Sequence, residues 1–125
     1  MKSNTLLVVG NDQNRELLDA LFDGGFETIV RPTLEASVWE LRHHRFLALL
    51  VDCVGTDVDP IEVVLNARDV APDIPAVVVG GREDAGETAA AQALPRTEVL
   101  NSRRAEEIIL SLEKVAKTKD KIHDH

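Results

Sequence analysis

Two rhythms alternate along the chain. Unbroken apolar runs give way to stretches where apolar residues recur every three or four positions, and these give way to apolar runs again. Leu6-Leu7-Val8-Val9 is the first such run, bounded by Gly10-Asn11-Asp12. An aliphatic run of this length marks a strand buried on both faces of a parallel sheet. From Asn14 to Phe22 the spacing turns helical. Leu17, Leu18, Leu21 and Phe22 share a face, and Gly24-Gly25 is the stop signal. Glu27 to Arg31 predicts a second strand closed by Pro32. Thr33 is placed to cap a helix whose apolar face holds Leu34, Val38 and Leu41. Phe46 to Asp52 predicts the third strand, apolar until its last residue, and Val54 to Pro60 a loop. A helix over Ile61 to Val70 brings Ile61, Val64, Leu65 and Arg68 into register. Pro72 and Pro75 frame the turn into a fourth strand, Ala76 to Val79, which Gly80-Gly81 ends. Glu83 to Leu94 is an alanine-rich fourth helix ended by Pro95. Glu98-Val99-Leu100 is a fifth strand, and a long fifth helix starts at Arg104.

Strand and helix alternating through short connections imply right-handed crossovers and a parallel sheet covered on both sides. About five such units in 125 residues predict an α/β fold. It is the flavodoxin-like, doubly wound five-stranded parallel sheet, order 2-1-3-4-5, with helices on both faces. No repeat or low-complexity tract divides the chain. The reading is one domain over residues 1–114 and a helical extension or linker over residues 115–125. Ala105, Ile108, Leu112, Val115, Lys119 and Ile122 follow a heptad spacing with one polar interruption. Docking onto the sheet accounts for this seam up to Leu112. Beyond it, the segment is either a frayed tail or the start of a coiled-coil linker to an output module.

Composition narrows the function. Aromatics are 3% of the chain, so the core is aliphatic. The formal net charge of −8 repels polyphosphate backbones and argues against nucleic acid as a partner. The apolar run near the N-terminus is too short for a membrane span or a leader's apolar core. Cys53 is the only cysteine, which excludes an internal disulfide and a thiolate metal cluster. These features predict a cytoplasmic protein with no membrane contact.

In an open parallel sheet, ligand chemistry gathers at the carboxyl ends of the strands. Here those ends carry Gly10-Asn11-Asp12, Asp52-Cys53, Gly80-Gly81 and Asn101-Ser102. Over essentially its whole length the chain resembles a response-regulator receiver domain. Leu7-Val8-Val9 is similar to that family's first strand. Leu49-Leu50-Val51-Asp52 is similar to its third, which ends in the aspartate that accepts a phosphoryl group. Pro75-Ala76-Val77-Val78-Val79 is similar to its fourth. The resemblance implies a phosphoacceptor position at Asp52. It also implies that two acidic residues holding Mg²⁺ should follow the first strand, where this chain has Gly10 and Asn11, with Asp12 one residue late. A Ser or Thr should end the fourth strand, where this chain has Gly80. A Lys followed by Pro should end the fifth, where it has Asn101-Ser102. Asp52 alone survives from the set.

These losses bear on the chemistry. Mg²⁺ demands oxygen ligands in near-octahedral geometry. Gly10 offers none from a side chain and Asn11 only a neutral one, leaving Asn11, Asp12 and Asp52 as the candidate ligands. Phosphoryl transfer depends on neutralising charge on the transferred group. Charge-assisted hydrogen bonds are worth roughly 1.5–3 kcal/mol each, so losing two and weakening the metal costs on the order of several kcal/mol. That is a rate loss of a few orders of magnitude.

Other conspicuous residues read as ordinary structure. Asp57 and Asp59 solvate a loop and cap the following helix. Gly80-Gly81 is a turn rather than a phosphate cradle. His43-His44 is a solvated helix end without metal-site spacing, and His123 and His125 lie in a polar tail. Cys53 reads as a small buried residue rather than a redox group.

The resemblance therefore implies a two-component-type signalling domain that is not an enzyme. It acts mainly by contact with a signalling protein or a fused output domain, with weak or no phosphorylation at Asp52 and no firm cofactor. A homodimer would use the face of Glu83 to Leu94, Glu98 to Leu100 and Arg104 to Lys114, or the C-terminal helix. Two alternatives stand beside it. One is a working phosphoacceptor using Asp52, Asp12 and Asn11 with Mg²⁺. The other is a flavodoxin-like enzyme holding a small ligand over Gly10 and Gly80.

Overall fold

A computed structural model of the chain describes residues 4–11, 15–54, 56, 58–80, 90–101 and 104–123, with residues 117–123 as backbone alone. Five strands form one parallel sheet: β1 (Thr5–Val9), β2 (Glu27–Arg31), β3 (Ala48–Asp52), β4 (Ala76–Val79) and β5 (Thr97–Leu100). Their order is β2-β1-β3-β4-β5, as the alternation of patterns predicts. Three helices, α1 (Arg15–Asp23), α2 (Leu34–His43) and α3 (Pro60–Val70), and a terminal helix (Ala105–His123) cover the sheet. Of the fourth helix expected from Glu83 to Leu94, residues 90–92 are helical, and the chain is already turning at Ala93. Residues 81–89 lie outside the described residues.

The strict two-residue period of a strand sorts its side chains into two cores. Leu7, Val9, Leu49, Val51, Ala76 and Val78 face α2 and α3, where they meet Leu41, Val63, Val64 and Ala67. Leu6, Val8, Ala48, Leu50, Val77 and Val79 face α1 and the terminal helix, where they meet Leu17, Leu21, Ile108 and Leu112. All five residues of β3 are buried. Each large aliphatic side chain so enclosed contributes roughly 1.5–3 kcal/mol.

Local chemistry sets the helix ends. Gly25 takes φ +95° after α1. The amide of Phe26 donates to Leu21 O at 3.0 Å and that of Gly25 to Phe22 O at 3.0 Å. This is a Schellman cap, with Phe26 and Leu21 buried in the same cluster. Thr33 Oγ1 accepts from Ala36 N at 3.2 Å and starts α2 as predicted. Asp59 Oδ1 accepts from Ile61 N at 3.0 Å and caps α3, with Pro60 in its first turn.

Three predicted helix faces need correction. On α1, Phe22 is 71% exposed, so the buried stripe is Leu17 and Leu21. On α2, the buried residues are Ser37, Glu40 and Leu41, while Val38 is only half-buried. On α3 the inward side is Val63, Val64 and Ala67, and Leu65 is exposed. β3 also begins at Ala48, two residues after Phe46. On the terminal helix Ile108, Leu112 and Val115 all pack into the sheet. The docked seam thus reaches Val115, the first residue of the segment read as an extension.

Candidate functional site

Register brings three strand ends together. Val9 lies beside Val51 across β1 and β3, and Asp52 beside Val79 across β3 and β4. Gly10, Asp52 and Gly80 therefore sit side by side at the carboxyl edge of the sheet. The ladder continues past the strands, with Gly10 N donating to Arg31 O at 3.0 Å, Cys53 N to Val79 O at 2.9 Å and Gly80 N to Leu100 O at 3.2 Å. Asn101 follows β5 and is exposed, and Asn11 is partly buried. The positions expected around a phosphoacceptor are thus adjacent in space; Asp12 and Ser102 lie outside the described residues.

Asp52 is 2% exposed. Its Oδ1 accepts from the amide of Val54 at 3.2 Å, so part of its acceptor capacity goes to its own loop. The two glycines beside it are closely fitted. A Cβ on Gly10 would stand 2.8 Å from the carbonyl oxygen of Asp52, a separation that real Cβ atoms do not tolerate. Gly80 has φ +76°, and a Cβ there would fall inside the van der Waals envelope of Val54 Cγ2. Both positions face protein atoms, which disfavours the reading that a ligand phosphate rests directly on them. A carboxylate in place of Gly10, or a hydroxyl residue in place of Gly80, would require neighbouring backbone or Val54 to shift.

Val54 is the residue that the sequence analysis missed. It stands at the start of a predicted loop, and nothing in its type or spacing signals that it leans across to the next strand end. It is also 36% exposed, at the border between loop and solvent.

Among the described residues the donor set fits Mg²⁺ poorly. Gly10 brings no side-chain oxygen, Asn11 a neutral one, and the Asp52 carboxylate is buried and engaged. Among the described residues no three of His, Cys, Asp and Glu cluster as a metal site would require.

The remaining candidates are dispersed. Cys53 is only partly buried, packed against the α2–α3 core rather than enclosed in it. Asp59 is a helix cap, and Asp57 and Gly81 lie outside the described residues. At the far end of α2, Trp39 stacks on His43 with ring centroids 4.1 Å apart, and His43 Nδ1 is 2.7 Å from Trp39 O. His44 Nε2 is 3.8 Å from Glu40 Oε1. Glu40, buried to 4% exposure, is held chiefly by Arg31, whose Nη2 and Nε lie 2.8 and 3.0 Å from Oε2. This half-buried ion pair ties the end of β2 to α2. His125 lies outside the described residues, and of His123 only the backbone is described.

Comparison with known proteins bears on the fold. No family model and no curated protein matches the sequence. Solved structures match the architecture closely. A CheY-like response regulator receiver domain protein from Methanospirillum hungatei is similar at a TM-score of 0.80 and 15% identity, covering 96% of this chain and 98% of that one. The receiver domain of a sensor histidine kinase from Pseudomonas aeruginosa, with magnesium in its active-site cleft, gives 0.75 at 16% identity, covering 93% and 99%. An adenylate cyclase structure from Rhodopirellula baltica gives 0.82 at 17% identity, covering 98% and 94%. The chain has the flavodoxin-like fold of CheY-like receiver domains. At these identities the likeness defines the fold, and the site must be judged on its own residues. Among the described residues no helix is long and apolar enough to cross a membrane.

Proposed function

We propose that this chain is a receiver-like signalling domain that works mainly through protein–protein contact, with weak or no phosphorylation at Asp52. One observation carries the reading. On a receiver fold, the aspartate at the end of β3 is retained but buried, and its neighbours are Gly10, Gly80 and Asn101 in place of acid, hydroxyl and cation. Without those groups at those positions, charge on a transferring phosphoryl group lacks the offsets on which this chemistry depends. The nucleophile position persists while its supports do not.

The contact surface we favour is the β5 and terminal-helix face, with the terminal helix continuing toward a fused output domain or a second copy. A groove of about 500 Å³ runs there between β5 and the terminal helix. Leu110 stands on it 66% exposed, and Ser111 Oγ is buried without a hydrogen-bond partner. Lys114 and Glu98 close it with a 2.8 Å ion pair. An exposed leucine on the rim of a groove suits a partner that covers it. The site residues, the extension over residues 115–125 and the cytoplasmic location belong to the same proposal.

The test is intact-mass spectrometry after incubation with acetyl phosphate and Mg²⁺, with Asp52→Ala as control. The expected result is little or no gain in mass. A stoichiometric gain of one phosphoryl group in the parent, absent from the control, establishes the working-phosphoacceptor alternative instead. Light scattering at high concentration, with Leu110→Asp as control, tests self-association through the same face.

A further inference from the structure

The loop after β3 and the end of β4 meet at one side chain, and three observations converge on it. The amide of Val54 donates to Asp52 Oδ1 at 3.2 Å, the i to i+2 spacing of an Asx turn. The Val54 side chain leans over Gly80, its Cβ 3.6 Å and its Cγ2 much closer to where a Cβ at residue 80 would stand. Gly80 is itself in the left-handed region, at φ +76°. An ordinary L side chain at that φ costs on the order of 1–3 kcal/mol even in open space, so backbone and neighbour exclude it independently.

From these contacts we infer that Val54 is a built-in plug at the carboxyl edge of the sheet, held in place by Asp52. Val54 fills the space above the end of β4. The Asp52 carboxylate serves there as the hydrogen-bond acceptor that fixes the turn. The two strand ends are thereby locked in a single arrangement. This deepens the proposed function and rests on it for its regulatory meaning: a partner bound by such a domain is bound constitutively. A signal arriving at Asp52 would find the space above the end of β4 filled and no hydroxyl on β4 to move. Loss of chemistry and loss of mobility are then two separate changes. Restoring a hydroxyl at residue 80 without removing Val54 would restore neither.

Gly25 supplies the internal contrast. It too has positive φ, +95°, but a Cβ there would meet nothing within 4 Å. A substitution at Gly25 therefore bears the backbone cost alone, whereas one at Gly80 bears that cost and the collision with Val54.

A double-mutant cycle on the full chain reads the coupling. Gly80→Ala, followed by urea unfolding, should lower the folding equilibrium constant about 100-fold in the parent and only about tenfold in a Val54→Ala background. Equal losses in the two backgrounds, within about twofold, would overturn the plug. Should Gly80→Ala fold in neither background, amide exchange at residue 54 decides. Asp52→Ala should accelerate it about tenfold or more, while Asp52→Asn, which keeps an acceptor oxygen, should stay within about threefold of the parent. Similar acceleration in both variants, or in neither, sinks the role given to Asp52. These readouts are independent of acetyl phosphate. A phosphorylated parent would defeat the functional reading through mass, and an absent coupling would defeat the plug through stability.

Discussion

The two ends of the sheet handle charge in opposite ways. At the amino end, Arg68 reaches from α3 with Nε and Nη2 each 3.2 Å from Ile74 O and Nη2 3.1 Å from Arg96 O. One guanidinium thus ties together the approaches to β4 and β5. Arg96, at φ +50°, turns out to meet Asp73 at 3.3 Å. Burial, and then the neighbouring charge of Arg96, hold the Arg68 guanidinium below its ordinary pKa. At the carboxyl end the strand tips bear Gly10, Asp52, Gly80 and Asn101, and the cation at the end of β2, Arg31, is engaged by Glu40. In a sheet of this kind the amino end serves stability and the carboxyl end chemistry. Here positive charge holds backbone together at the first, while the strand tips beside Asp52 at the second carry Gly10, Gly80 and Asn101.

The largest expected effect tests the amino end. Arg68→Ala removes three N–H···O contacts to two carbonyls and should cost about 3 kcal/mol in urea unfolding; a loss under about 1 kcal/mol would show that this end is not held as described. Next is the tie between β2 and α2. Glu40→Gln leaves Arg31 without its counter-charge, but Arg31 is 39% exposed and water compensates in part. The expected loss is about 1–2 kcal/mol, and high salt should shrink the gap between parent and variant. Gly25→Ala, bearing conformational cost alone, should lose about 1 kcal/mol, less than Gly80→Ala. If the order were reversed, packing at the carboxyl edge would be looser than the contacts imply. The smallest effect sharpens the contrast. Asn101→Lys puts a cation back near Asp52 on an exposed site, and should shift stability by under about 0.5 kcal/mol. It should give no phosphoryl adduct in intact-mass measurements, because Gly10, Gly80 and Val54 remain. An adduct would mean that charge alone had been limiting.

The strands were legible because a sheet buried on both faces leaves its mark directly as aliphatic runs; Leu6 to Val9 and Ala76 to Val79 needed no further context. The caps were legible for the same local reason: Thr33, Asp59 and Gly24-Gly25 act on backbone groups a few residues away. The helix faces were not. Ser37 and Glu40 are buried because the sheet lies close and because Arg31, nine residues before Glu40, supplies the counter-charge; periodicity within α2 carries no trace of either. Phe22 and Leu65 point outward although their spacing fits an inner stripe, since apolar residues are common on folded surfaces. At the site, strand spacing sufficed to bring Gly10, Asp52 and Gly80 together. The contact of Val54 with Gly80 depends on how a loop turns after its strand, which no residue pattern encodes.

The stacking of Trp39 on His43 has an optical consequence. The chain contains one tryptophan and no tyrosine, so its near-ultraviolet emission comes essentially from that single indole. The ring lies against an imidazole at 4.1 Å and is already 54% exposed. Unfolding should thus change the colour of the emitted light only slightly. Its brightness should rise as the quenching imidazole leaves, so that intensity rather than wavelength follows the loss of α2.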